Sequence, residues 1–429
     1  MRASRPNYGK HASVPDPKAA DKHPDAYQPD QTTKLALEEQ GCTDSAALSI
    51  GGIPATDLAN DYGTPLYAFS ADVLRRRVDR IQSALGPRFA LLWSIKANPS
   101  VAVTECLRLA GAGAEIASAG ELEVALAAGH PAADLRFAGP GKSDQELAAA
   151  LQRGVGTYHV ESLDELRSLA RLAAAADQTA AIALRVNLPG ELKGSRMRMG
   201  GQSSRFGIDA EQVPEAVATI QAAARLALRG LHVYGGTQCF DAASFVAHGR
   251  ALAAQAEQWE RELEVRFDEL DLGGGFGMAV FAGDPVFDLD LCASGLRELL
   301  AEYDRPERRW FLELGRYLAA PAGVFLTRIL RTKTSGGLRH AVLDGGMHQA
   351  AAAAGLGTIV RRPPLLVAAS DLGPATAHAI TLGGPLCTPA VARRVAERAW
   401  GWLGEAGGGW RSVVGSAGLP GLLSVAERG

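Results

Sequence analysis

At 429 residues, 47% of them hydrophobic and 21% charged, the chain has an ordinary globular composition and is long enough for a barrel plus a second domain. Its net charge of −3 and pI of about 6.3 exclude the strongly basic surface expected of a nucleic-acid binder. No run of about 18 uncharged apolar residues occurs, which excludes a membrane-spanning helix.

Met1–Gln40 lacks the apolar segment of a secretory signal and is rich in Pro, Asp, Lys and Gln, so residues 1–45 are expected to form a disordered leader. The cysteines Cys42, Cys106, Cys239, Cys292 and Cys387 are scattered, odd in number and without a CxxC or zinc pattern, which fits a reducing cytoplasm and no metal site. Asp61–Phe69 either opens a barrel or lends a strand to a second domain. Apolar runs then recur at Ala90–Ile95, Ala114–Ala117, Leu135–Ala138, Thr157–Val160, Ala180–Val186, Leu228–Val233, Phe267–Leu272 and Trp310–Leu314. Helical patterns separate them, among them Val101–Ala110, Ala119–Ala128, Ser143–Arg153, Ser162–Ala174, Val213–Ala223 and Ser244–Arg261. Eight strands alternating with helices predict a (β/α)8 barrel over residues 46–320. Beyond Ala319 the texture changes. Gly323–Lys333, Arg339–Leu343, Pro364–Ala369 and Ala379–Leu382 are β-branched and apolar without long helices between them, and predict a β-rich domain over 321–429.

A barrel's chemistry sits at the C-terminal ends of its strands. The first strand runs into Lys96, whose apolar neighbours in sequence predict a lowered pKa and a neutral amine able to form a Schiff base. A snorkelling lysine is the alternative. The second strand ends at Glu115. The sixth ends in Tyr234-Gly235-Gly236-Thr237-Gln238, where Tyr234 is either a stacking platform or a core tyrosine and Thr237 a phosphate contact. The seventh runs into Gly273-Gly274-Gly275-Phe276-Gly277, whose backbone N–H groups suit an anion if the run is more than a flexible turn. The eighth ends in Glu313-Leu314-Gly315-Arg316, a carboxylate and a guanidinium that either serve a ligand or form a rim salt bridge. An amine, a phosphate loop and an acid for a pyridine nitrogen on one rim fit pyridoxal 5′-phosphate (PLP). In the second domain, Cys387 lies in the turn Gly384-Pro385-Leu386-Cys387-Thr388-Pro389, as a proton donor or a small buried residue.

These pieces, taken in order with Tyr62–Tyr67, Lys96-Ala97-Asn98-Pro99, Gly139–Ser143, Ser204–Ile208 and Asp344-Gly345-Gly346, resemble the fold-type III PLP decarboxylases, the group of diaminopimelate, ornithine and arginine decarboxylases. The resemblance spans roughly Leu48–Pro389. It implies an alanine-racemase-like barrel followed by a β domain, working as a head-to-tail homodimer. It implies Lys96 as the residue holding PLP, Glu313 on the pyridine nitrogen, and Gly236, Thr237, Gly275 and Arg316 around the phosphate; from their places at the strand ends, Glu115 is expected to support the ring side and Gly315 to join the cofactor contacts. Cys387 of the partner subunit would reprotonate the α-carbon after CO2 loss from an L-amino acid. Tyr234 stands where the family usually has His, and Thr388 where diamine-forming members carry an acid. Both departures resemble the subgroup linked to exosortase systems and to carrier-protein-bound aminoacyl groups. A racemase of the same barrel type and a weakened or inactive homologue are the competing readings.

The last segment departs from the family's pattern. Val391–Glu405 reads as an amphipathic helix, no tyrosine follows Tyr317, and Trp410–Gly429 lacks strand alternation. The closing strands of the β domain are therefore expected to be missing or replaced from about residue 390, with poor packing and weakened PLP binding.

Overall fold

In the computed structural model, the described residues are 31–42, 47–188, 204–281, 283–350, 365, 367–369 and 380–387, with the backbone strands Ser195–Arg198, Arg393–Val395, Val413–Ser416 and Leu422–Ser424. Eight parallel strands close on themselves in chain order: Phe89–Ser94, Gly113–Ile116, Arg136–Phe137, Thr157–Val160, Ala180–Asn187, Leu226–His232, Glu269–Gly274 and Arg309–Leu314. The eighth pairs with the first through Phe311↔Ala90 and Glu313↔Leu92, which seals the barrel. Each apolar run predicted from the sequence contains or overlaps one of these strands.

The surrounding helices begin where a short polar side chain satisfies the free N–H groups of the first turn. Ser70, Ser118, Ser143, Ser162, Asp241 and Asp288 each accept a hydrogen bond from the backbone three residues on. Ser143 and Glu146 form a reciprocal capping box. Helix Ala71–Leu85 shows why the pattern packs: Val73, Leu74, Val78, Ile81 and Leu85 recur at helical spacing and all are buried. Each such Leu or Ile stabilises the fold by about 1.5–3 kcal/mol relative to exposure. Inside the barrel, the N-terminal end is plugged by Arg136, which pairs with Glu269 at 2.7 Å and lies 3.5 Å over the Phe311 ring.

The β-rich part forms two sheets. One runs Val367–Ala368, Val413–Ser416, Leu422–Ser424, Gly323–Thr327, Leu66–Phe69, and the other Ile329–Ser335, Leu338–Leu343, Ile380–Gly383, Arg393–Val395. Leu66–Phe69 thus belongs with the second sheet system, antiparallel to Gly323–Thr327, rather than opening the barrel. Three expectations are corrected. The leader is not disordered throughout: Gln31–Glu39 is a helix, held by an Arg77–Glu39 ion pair at 2.9 Å and by Gln40 Nε2 donating to the Pro321 carbonyl at 2.7 Å. Within the helix expected over Val391–Glu405, Arg393–Val395 is a strand antiparallel to Ile380–Gly383. Closing strands are present, since Val413–Ser416 and Leu422–Ser424 both pair with Gly323–Thr327. Strands of three or four residues are too short to show alternation, and the open sheet edges supply what local propensity does not.

Candidate active site

Strand register sets the first contact. Ser94 pairs with Glu115, and Lys96 follows two residues later in the single turn Ile95–Ala97. Lys96 Nζ therefore donates to both Glu115 oxygens, at 2.8 and 2.7 Å. Glu115 is buried, whereas the lysine side chain is 48% exposed at the barrel mouth. Burial pulls the Lys96 pKa down, but Glu115, Glu313 and Tyr234 outweigh it, so the ammonium form is favoured. The neutral amine expected from the sequence is thus corrected. Its neighbours Trp93 and Ile95 pack into the core, and the carboxylates that face Nζ come from the second and eighth strands.

Glu313 is buried and its Oε1 makes no hydrogen bond. His159 Nδ1 lies 3.6 Å from that oxygen, and His232 Nε2 lies 3.4 Å from Oε2. Burial raises the carboxyl pKa, yet His232, Lys96 and His159 together hold it well below the usual carboxylate range. Asp271, whose Oδ1 accepts from the Gly273 N–H at 2.9 Å, is pushed up to about 7 by burial and by the Glu313 charge.

The glycine run is built by backbone proximity. Gly275 has φ +90°, and a Cβ there would lie 2.0 Å from the Gly236 carbonyl oxygen. A Cβ on Gly274 would lie 1.6 Å from the Glu313 carbonyl oxygen, across the seventh–eighth strand register. Gly275 and Gly236 are thus brought together, and Cys239 N–H donates to the Gly275 carbonyl at 2.9 Å. Tyr234 is half-buried beside Lys96 and hydrogen-bonded to Thr237; burial pushes its hydroxyl pKa up. Gly315 packs where a Cβ would sit 2.9 Å from Ala97 Cβ, and Arg316 opens the short helix Arg316–Ala319 at the same rim. Cys387 is exposed, in a loop of the β-rich part whose Gly384 packs on Gly346. Among the described residues, none of the hydrogen bonds or ion pairs at the barrel mouth involves Cys387. Thr388 lies outside the described residues.

The sequence reading passed over four residues here: His159, His232, Asp271 and Gln238. Gln238 ties the two loops, donating to the Met278 carbonyl at 2.9 Å and accepting from its N–H at 2.8 Å. The signal was available, because a histidine or an aspartate within an apolar barrel strand is a buried polar group that needs a reason.

The residues present fit PLP on observations of this structure. A half-exposed lysine stands at the mouth with a buried carboxylate that has an unpartnered oxygen, a tyrosine is close enough to both to feel their charge, and a loop excludes any Cβ where backbone must approach closely. A closed barrel carrying that set on its C-terminal rim defines a PLP enzyme. Residues 71–320 match the model of the pyridoxal-dependent decarboxylase family, pyridoxal binding domain. The chain is 30% identical over 340 residues to L-glutamyl-[BtrI acyl-carrier protein] decarboxylase of Niallia circulans, covering 78% of this chain and 79% of that one. It is also 30% identical over 353 residues to diaminopimelate decarboxylase of Zymomonas mobilis, covering 80% of each. The crystal structure of diaminopimelate decarboxylase from M. jannaschii matches with a TM-score of 0.77 at 22% identity, over 88% of this chain and 87% of that one, a likeness of fold. This chain belongs to the pyridoxal-dependent decarboxylase family, and its cofactor is PLP.

Proposed function

We propose that the chain decarboxylates an L-amino acid whose distal end is uncharged, or an aminoacyl group held on a carrier protein. It acts in the cytoplasm as a homodimer. The observation that carries the reading is the meeting of Lys96, Glu115 and Glu313 at one barrel mouth beside the Gly236–Gly275 contact. PLP, when bound, supplies an electron sink for the pair left at the α-carbon by loss of CO2. Lys96 Nζ holds the cofactor covalently. Glu313, whose pKa its surroundings hold low, would stand toward the pyridine nitrogen and keep it protonated. Tyr234 offers the ring a stacking face, and Glu115 orients Lys96. Gly236, Thr237, Gly275, Gly315 and Arg316 would hold the phosphate with backbone N–H groups, a hydroxyl and a guanidinium. Cys387 of a second copy delivers the proton to the α-carbon.

The position after Cys387 argues for the substrate class. Thr388 carries no charge, and an ammonium left unpaired in a closed site is costly. Free lysine, ornithine and diaminopimelate are expected to have kcat/KM about a hundredfold or more below that of the preferred substrate, the cost of one buried unpaired charge. A CO2-release panel of free amino acids and an aminoacyl carrier protein tests this, and efficient turnover of free lysine or ornithine overturns it.

Glu115 makes a second result predictable. Its carboxylate raises the Lys96 pKa, while only the free amine attacks the cofactor aldehyde. Capture of PLP by the apoprotein is therefore expected to speed up with rising pH. In Glu115→Gln that rise moves to lower pH, because burial then acts on Lys96 with less opposition. Stopped-flow absorbance over a pH series reads both; an unmoved profile removes Glu115 from this role.

A further inference from the structure

Below Glu313 the barrel interior holds a polar layer that the proposed chemistry does not itself use. It comprises His159 from the fourth strand, His232 from the sixth and Asp271 from the seventh, each 2% exposed or less. The two imidazoles are stacked, with ring centroids 4.4 Å apart and planes 28° from parallel. His159 Nδ1 faces Glu313 Oε1 and His232 Nε2 faces Oε2, so each ring addresses a different oxygen of one carboxylate. On its other side, His159 Nε2 lies 3.9 Å from Asp271 Oδ2. Both nitrogens of both rings, Asp271 Oδ2 and Glu313 Oε1 are buried without a hydrogen-bond partner. Buried polar groups without a partner are rare in native structures and ask for a functional reason.

We propose that the stacked His159–His232 pair is a two-pronged clamp that orients the Glu313 carboxylate toward the pyridine nitrogen of PLP. The inference rests on the reading of Glu313 given above and extends it one layer inward. The geometry supports a clamp on two grounds. Each prong lies within 0.7 Å or so of hydrogen-bond length, a gap that a small ring shift closes when the site tightens around a ligand. The donors also match those of a zinc site in type. However, each ring addresses a different oxygen of the one carboxylate, the arrangement of two donors on one acceptor group. The charges facing the layer are Lys96 and Glu115 from the mouth, Arg136 from below, and Lys142 beside His159. Lys96 and the two facing imidazoles favour the Glu313 charge, and burial with that charge pushes the Asp271 carboxyl up, which lessens the opposition of a second anion. The imidazoles therefore act as positioning residues, not catalytic ones.

A pair of cofactors separates this role from a merely structural one. PLP and its 1-deaza analogue, in which carbon replaces the pyridine nitrogen, differ only at the atom Glu313 addresses. Apoprotein of the wild type, His159→Gln, His232→Gln, His159→Phe and Glu313→Gln is titrated with both, following protein fluorescence and cofactor absorbance. Circular dichroism confirms the fold, and the Gln variants keep polarity and volume where Phe disrupts packing. The expected result is about a tenfold loss of PLP affinity in the histidine variants, the scale of one lost hydrogen bond to a charged group, with affinity for the deaza analogue unchanged. Glu313→Gln is expected to discriminate at least as strongly. Equal losses for both cofactors in the histidine variants, or no loss for either, overturn the clamp while the Glu313 reading stands. Failure of Glu313→Gln to discriminate overturns that reading and the clamp with it.

Discussion

Lys96→Ala is expected to abolish the visible absorbance of the bound cofactor and to lower turnover by more than roughly a thousandfold, within or beyond the range ascribed to a single acid–base group. Among the described residues the other lysines are Lys34, Lys142 and Lys333. Lys34 lies in the N-terminal helix Gln31–Glu39, and Lys333 in the strand Ile329–Ser335 of the β-rich part. Lys142 alone comes from a barrel loop, and its amine is committed: its side chain is fully buried, it pairs with Glu165 at 2.8 Å and it donates to the His159 carbonyl at 3.0 Å. Freeing it leaves Glu165 as a buried, unpaired carboxylate, which costs about 3–5 kcal/mol. Among the described residues no substitute amine is therefore at hand. Absorbance spectra of the variant with added PLP, and CO2 release in the same preparation, check both halves. A retained covalent cofactor band means that another amine carries it.

Gly274→Ala is expected to be nearly as damaging, through the backbone. Gly274 is paired with Glu313 in the barrel ladder, and an added Cβ would lie 1.6 Å from the Glu313 carbonyl oxygen and 2.7 Å from its carbon. Neither atom belongs to a flexible side chain, so the seventh and eighth strands must part. The expected cost is on the order of 3 kcal/mol or more, the upper part of the range for overpacking. The same displacement moves Glu313, so PLP affinity falls with stability. Thermal unfolding and cofactor titration of the variant measure the two together. A melt and an affinity like those of the wild type show that the strands have room there. Gly274 therefore owes its identity first to strand packing, even though it sits in a run that the sequence recommends for phosphate binding.

The barrel was legible in the sequence because its signals are local. An apolar run of four to eight residues followed by an amphipathic helix with a Ser or Asp cap carries its pattern within itself, as Thr157–Val160 followed by Leu163–Ala175 behind Ser162 does. Position along a strand placed Lys96, Glu115 and Glu313 at one rim, since all parallel strands of a barrel end on the same face. Chain order also separated the β-rich part from the barrel.

Only the tertiary structure decided what depends on neighbours remote in sequence. The protonation of Lys96 turns on Glu115 and Glu313, 19 and 217 residues away, and Coulomb forces across the mouth outweigh the local desolvation that the sequence displays. The His159–His232–Glu313 cluster is assembled from three strands, and although each polar residue stands out within its own apolar run, only the closed barrel shows that the three meet. The short strands Arg393–Val395, Val413–Ser416 and Leu422–Ser424 form because sheet edges built by earlier segments offer unpaired N–H and C=O groups, a demand that no pattern within three or four residues records.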